Sequence, residues 1–215
     1  MLGIYRRLLD RFGPQGWWPA DGDFEMVVGA ILTQSTAWVN VEKAIANLRQ
    51  GGLLSAEAIS HVSEARLAEA ITPSGYFRQK SRKLKAFVGY LEEEHGGDLD
   101  AMFHVKRPEL REALLGVWGI GPETADSIIL YGARQPTFVV DAYTRRIFGR
   151  LGLAPVDASY DALQRLFMDH LSPSVPFFQE FHALLVAHGK DVCRPNPLCS
   201  RCPLWDICPS VIRAI

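Results

Sequence analysis

The sequence has no apolar run long enough to cross a bilayer, and its first eighteen residues, "MLGIYRRLLDRFGPQGWW", lack the apolar core of a signal peptide. It has no excess of charge of either sign. Lysines and arginines number 23 against 24 aspartates and glutamates, a formal charge of −1, with a pI of about 6.6. That balance excludes a global positive field as the basis of nucleic-acid binding, so any such contact must come from a local patch. There is no internal repeat and no low-complexity tract. With 48% hydrophobic and 22% charged residues the composition is globular rather than disordered. Cysteine is absent before Cys193, and all four cysteines lie between Cys193 and Cys208. The expectation is a cytoplasmic chain of one domain or two small ones, whose 215 residues suffice for a real core. In a reducing compartment such a cysteine cluster reads as a metal site before it reads as a pair of disulfides.

Strand signals are scarce as well. Only "TFVVDAY", residues 137–143, is expected as a strand, and it is too short to build a sheet. Elsewhere the apolar residues recur with helical spacing. Helices are expected over 2–12, 23–34, 41–50, 55–61, 63–71, a longer stretch from Phe77 through Leu91, 108–118, 122–131, 142–150, 160–170 and 176–188. Gly13–Pro14, Gly51–Gly52 and Thr72–Pro73 supply stops. The predicted class is all-α.

What the chain does have is concentrated in three places. The first is "VWGIGPETADSIILYG", residues 117–132. Gly119 and Gly121 permit backbone angles closed to other residues, so two helices can meet across a very short hairpin. Pro122 suits the first helical position, where its missing N–H costs nothing. The free amides of that helix start make a ready phosphate site, to which Thr124 could add a hydroxyl. The plainer reading is an ordinary helix–turn–helix corner.

The second is "GWWPADGDFEMVVGAILTQSTAW", which holds Trp17, Trp18 and Trp38, three of only five tryptophans. Aromatic faces of this kind can stack on a planar ring. Toward a cationic ring an indole face adds a cation–π attraction of roughly 0.5–2 kcal/mol. Closing a core is the plainer role. The third is "CRPNPLCSRCPLWDIC", with five, two and five residues between Cys193, Cys199, Cys202 and Cys208. Four thiolates so close in sequence can wrap one tetrahedral centre, and zinc and a 4Fe–4S cluster are both chemically possible.

The stretch "LLGVWGIGPETADSIILYGARQPTFVVDAYTRRIFGRLG" resembles the helix–hairpin–helix, Gly/Pro-rich loop and aspartate module of the endonuclease III superfamily of DNA glycosylases. The resemblance implies two helical lobes, 17–133 and 1–16 plus 134–215, with a DNA-binding cleft between them. It implies that the hairpin residues Gly119, Gly121 and Thr124 grip the DNA backbone and that Asp141 is catalytic. A fixed carboxylate suits that chemistry. It stabilises the oxocarbenium character of the sugar and can orient or deprotonate a water. An aspartate before "AYTRRIF" is also a good helix N-cap, and the two roles are compatible.

Members of the family that cut the strand carry a lysine two residues after the second hairpin glycine. Here that position is Glu123, whose carboxylate forms no imine, so a monofunctional enzyme using water is expected. The order "WWP", "LTQ-T" plus an aromatic, then "GIG-E-AD" is similar to the 3-methyladenine glycosylase branch. There the residues at Trp17, Trp18 and Trp38 sandwich the flipped base. Gln34 matches the glutamine that the family pushes into the vacated gap. The cysteine spacing resembles the endonuclease III cluster loop, although its first gap is one residue shorter. That resemblance favours 4Fe–4S over zinc.

The implied partner is double-stranded DNA containing a damaged base, met by a monomer near the nucleoid. Alternatives are an oxidised-pyrimidine or mismatch glycosylase, or a non-catalytic damage binder. Arg194 and Arg201 could reach a phosphate. The run "RQKSRKLK", residues 78–85, reads first as a solvated helix face, and Arg145, Arg146 and Arg150 are equally open.

Overall fold

A computed structural model describes residues 1–155 and 157–211. In chain order the helices are α1 (Leu2–Phe12), α2 (Asp23–Leu32), α3 (Trp38–Gln50), α4 (Ala56–His61), α5 (Glu64–Ala70), α6 (Phe77–His95), α7 (Leu99–Phe103), α8 (Arg107–Gly116), α9 (Pro122–Ser127), α10 (Ala142–Arg150), α11 (Tyr160–His170) and α12 (Val175–Asp191). Single 3-10 turns lie at Thr72–Ser74 and Cys199–Arg201. The class is all-α, and among the described residues there is no strand and no helix long and apolar enough to cross a membrane. The chain divides into two compact units, Met1–Trp17 with Pro136–Ile215, and Trp18–Gln135.

The first unit is built around α12, on which both α1 and α10 pack. Its core is aromatic. Phe138, Phe148, Phe167, Phe178 and Phe181 are fully buried, and the rings of Phe138 and Phe167 stack with centroids 3.7 Å apart. Each such ring contributes roughly 1.5–3 kcal/mol through burial. The α10–α12 contact is close because α12 carries Gly189 where Tyr143 of α10 presses against its backbone. Five of the described helices start on side-chain caps: Asp141 accepts from Thr144 N and Ser159 from Ala162 N, and in the other unit Ser55 accepts from Ala58 N, Ser63 from Arg66 N and Asp98 from Asp100 N.

The strand expected over 137–143 does not form. Phe138, Val139 and Val140 are buried, but side chains of α11 take the place of a sheet partner. Gln164 Nε2 donates to Thr137 Oγ1 at 3.1 Å and to Phe138 O at 2.9 Å, and Val140 N donates to Tyr160 Oη at 3.4 Å. Two backbone groups of an apolar run are thus hydrogen-bonded by side chains without a ladder.

In the second unit α2 is the central helix, packed by α3, α6 and α9. Residues Met26 to Leu32 are buried without interruption, as expected of a helix covered on every side. Helix α6 ends on Gly96 at φ 62°, where Gly97 N donates to Leu91 O at 3.0 Å and closes the C-terminus.

The run 78–85 on α6 is not simply a solvated face. Lys80 is only 2% exposed, and its ammonium donates to Leu32 O, Thr36 Oγ1 and Ser74 O at 2.8, 2.7 and 2.6 Å. Lys85 binds Ser60 O and Val62 O, whereas Arg82 keeps to the surface with Glu64. Helix α9 runs on into a π-turn, Ile128–Gly132, in which Ala133 N donates to Ile128 O at 3.0 Å.

Candidate active site

Between α8 and α9 the chain reverses through Gly119 and Gly121. Gly119 has φ +84°, a conformation that needs glycine, and the stem of Lys83 lies across it. A Cβ there would meet Lys83 Cγ at 2.5 Å. Gly121 differs from the sequence expectation. At φ −98° and ψ 178° it is extended, a conformation open to any residue, and the space above it is empty to 4 Å. What Gly121 contributes is clearance before Pro122 and the first amides of α9.

Gln34, on the turn after α2, is drawn to this hairpin. Its Nε2 donates to Gly119 O at 3.2 Å and to Thr124 Oγ1 at 2.9 Å, while its Oε1 accepts from Lys83 Nζ. Thr124 is buried, with its hydroxyl turned to Gln34, and Glu123 beside it is exposed in the first turn of α9. So the structure brings Gln34, Gly119 and Thr124 into direct contact. It adds Lys83, which charge-run reasoning left on a solvated face.

Asp141 sits at the start of α10, in the other unit. Its Oδ1 accepts from Thr144 N at 2.7 Å, the N-cap expected from sequence. Its Oδ2 lies 3.8 Å from His182 Nε2 on α12, and both side chains are nearly buried. Burial alone would raise the Asp141 carboxyl. The adjacent imidazole and the Thr144 amide outweigh it, so the group is held below the ordinary carboxylate range. Such a carboxylate is ionised at neutral pH and suited to stabilise positive charge or accept a proton.

His182 was missed by motif reasoning. Its local signal is a histidine on the apolar face of "FFQEFHALL", and its meaning lies in a contact with a residue far along the chain. Trp17 stacks on the same imidazole, with centroids 5.9 Å apart and an interplanar angle of 17°. One unit therefore carries a Trp17–His182–Asp141 series.

Trp18 and Trp38 belong to the other unit. Their rings meet edge to face at 5.4 Å, and Trp18 is tilted against Tyr131 at 5.1 Å. Gly29 of α2 makes room for the pair, since a Cβ there would stand 3.3 Å from Trp18 Nε1 and 3.5 Å from Trp38 Cη2. The π-turn after α9 carries Tyr131, a second aromatic that the sequence did not single out. Trp17, Trp18 and Trp38 are all half-buried rather than sealed in a core.

The four cysteines are free thiols that line one cavity of about 30 Å³, together with Arg150, Val192 and Trp205. Among the described residues no three ligating side chains stand close enough to grip a single ion. The Cys202 thiol is pushed up by burial and, more weakly, by its three neighbours. Helix α10 holds this loop. Arg146 Nε donates to Cys193 O at 2.7 Å, and Arg150 donates to Arg194 O at 2.6 Å, Pro195 O at 2.8 Å and Cys193 Sγ at 3.3 Å. These two arginines are structural clamps, while Arg194 and Arg201 are exposed.

An all-helical frame with a glycine hairpin, a capping aspartate and a C-terminal cysteine loop defines a helix–hairpin–helix glycosylase class. The chain belongs to the HhH-GPD superfamily of base excision DNA repair proteins, whose profile matches residues 28–173. It is 44% identical over 209 residues to a Methanocaldococcus jannaschii protein assigned by name to the DNA repair glycosylases, covering 96% of this chain and 94% of that one. It is 28% identical over 209 residues to endonuclease III of Thermotoga maritima, covering 95% and 90%. Among solved structures it is similar to the Helicobacter pylori 3-methyladenine DNA glycosylase bound to 1,N6-ethenoadenine. There the TM-score is 0.77 with 27% identity, over 87% of this chain and 96% of that one. The fold is also that of an endonuclease III trapped in a covalent complex with DNA, at TM-score 0.83 and 20% identity over 97% and 94%.

Proposed function

We propose that this DNA glycosylase is monofunctional: it swings a damaged base out of the duplex and releases it with water, acting on an alkylated purine such as 3-methyladenine. One observation carries the reading of the chemistry. Asp141 is fixed at one oxygen by the Thr144 amide and kept ionised beside His182, while the hairpin position where a nucleophilic amine would stand holds Glu123. As the glycosidic bond breaks, the bonding pair leaves with the base and positive charge builds on the sugar. The Asp141 carboxylate stabilises that charge and takes a proton from the attacking water. Without an amine at Glu123 no Schiff base forms there, and the product is an intact strand with an abasic site.

The alkylated-purine assignment rests on the indole faces of Trp17, Trp18 and Trp38, which suit a cationic base better than a hydrogen-bonded neutral one. The H. pylori relative with a bound purine adduct supports it. Gly119, Gly121 and the first amides of α9 would take the backbone phosphate. Cys193, Cys199, Cys202 and Cys208 would hold a 4Fe–4S cluster, four thiols around one cavity being a donor set that suits it. When bound, such a cluster supplies covalent order to a loop with little regular structure. The working form is a monomer on damaged duplex DNA.

The test is incubation with duplexes bearing 3-methyladenine, ethenoadenine, thymine glycol or a G·T mismatch, scoring freed base separately from strand scission. Freed methylated purine with strand breaks only after alkali is expected. A covalent protein–DNA adduct after borohydride would overturn the monofunctional assignment. Release of thymine glycol alone would overturn the substrate.

A further inference from the structure

The unit Trp18–Gln135 holds a polar pocket of about 190 Å³ to which the reading above gives no role. Its walls are Gln34, Ser35, Tyr76, Gln79, Lys80 and Lys83. Two of these are non-glycine residues with left-handed backbones, Ser35 at φ 53° and Tyr76 at φ 45°, and such strain persists only where the surroundings impose it. Lys80 imposes it. Its three protons are spent on Leu32 O, Thr36 Oγ1 and Ser74 O, tying together the two loops that carry Ser35 and Tyr76. Lys80 has no donor left for a ligand.

Lys83 is in the opposite position. It is half-buried, its stem is wedged over Gly119, and it spends one proton on Gln34 Oε1. An ammonium has three donors, so two remain on the wall of the pocket. That single bond also decides how the Gln34 amide is turned. With Oε1 fixed by a cation, Nε2 must face Gly119 O and Thr124 Oγ1. Burial lowers the pKa of Lys83, which means its ammonium is already partly stripped of water.

We propose that Lys83 is a specificity residue for the strand opposite the lesion. It donates to a carbonyl acceptor on the unpaired partner base and, through Gln34 Oε1, sets the orientation of the glutamine beside it. The inference rests on the glycosylase reading. Apart from Lys80, whose protons are spent, the pocket's other walls are the amides of Gln34 and Gln79 and the hydroxyls of Ser35 and Tyr76, groups that read base edges, and an ammonium selects keto acceptors. Guanine and thymine are therefore favoured over adenine, and thymine is the base that a damaged adenine leaves behind.

The experiment measures dissociation constants for duplexes with a stable abasic analogue opposite each of the four bases, across a range of salt. Wild-type protein, Lys83→Met, Lys83→Gln, Gln34→Ala and the Lys83→Met/Gln34→Ala double variant are compared, each with a thermal melt. Wild type is expected to bind the thymine and guanine partners about fivefold more tightly than adenine, the scale of one hydrogen bond. Lys83→Met flattens that preference with no change in salt slope or melt, and the double variant adds little to either single one.

Three outcomes overturn the proposal: a wild type indifferent to the partner base, a variant that keeps the preference, or uniform weakening with a salt slope reduced by about one, the sign of a phosphate contact. A wild type that does not prefer abasic over intact duplex sinks the glycosylase reading itself, a different result. If the methionine variant melts early, Lys83→Gln carries the comparison.

Discussion

Asp141 serves two masters, and its two oxygens separate them. Oδ1 caps α10, and Oδ2 faces His182. Asparagine is as good an N-cap as aspartate but carries no charge, so Asp141→Asn divides structure from chemistry. Base release is expected to fall at least about 100-fold, as when one preorganised charge-stabilising group is lost. Binding to abasic duplex should change little by comparison, while the melting temperature near neutral pH falls modestly as the ionised carboxylate's contribution is lost. The pH dependence has a definite sign. The folded carboxyl lies below its unfolded value, so its ionisation stabilises the fold above about pH 3.9, and that contribution is lost as pH falls through the folded pKa. The stability gap between wild type and Asp141→Asn should therefore be constant from pH 5 upward and close below about pH 4. A gap that widened in acid would mean the carboxyl is raised rather than lowered.

The position of that carboxylate depends on how closely α10 approaches α12. Gly189 has no Cβ because the Tyr143 ring occupies its place, and the same helix pair carries Asp141 and His182. Gly189→Ala forces the two apart and should cost about 1–3 kcal/mol, seen as a lower midpoint in denaturant, with base release reduced more than binding. Long periodic elements were legible, α1 even without a side-chain cap, whereas the five-residue α7 was not expected although Asp98 caps it. α10 and α11 begin where Asp141 and Ser159 say they should, and both end as the apolar spacing predicts. Gln34 meets Gly119 and Thr124 across 85 and 90 residues of chain, a contact that no local pattern signals. What stayed illegible was non-local. A buried β-branched run looks the same whether a strand or the side chain of Gln164 satisfies it, so residues 137–143 read as a strand. Lys80 and Lys83 read as solvent charge because periodicity does not reveal that α2 and a turn would close over them. His182 and Tyr131 gain their interest only from partners that the chain brings near by folding.

With a charge of −1 the chain has no broad field to draw DNA in, and several of its arginines are already neutralised, as Arg49 is by Asp21 and Glu25 and Arg134 by Asp23. The proposed function then rests on local devices, and these are divided between the units. Trp18–Gln135 carries the hairpin, Gln34, Lys83 and the Trp18–Trp38 pair. The other unit carries Asp141, His182 and the cysteine loop. Within that second set the link is a single helix: α10 starts at Asp141, and its Arg146 and Arg150 grip the carbonyls of Cys193, Arg194 and Pro195. That loop is held by those two arginines, by Arg7 on Pro203 O and Asp206 and by buried Leu204, yet it has little regular structure, so Cys199→Ser, which removes one of the four thiols, should open the Arg201–Cys202 bond to trypsin while the hairpin's unit stays resistant. The iron and brown colour expected of the proposed cluster should be lost with it. Base release should decline in step with the iron, because α10 loses the anchor at its far end. Affinity for undamaged duplex should change by less than about threefold, the hairpin being unaltered. Unchanged trypsin resistance would show that Arg7, Arg146 and Arg150 suffice to hold the loop, and that the four thiols do not order the helix that starts at Asp141.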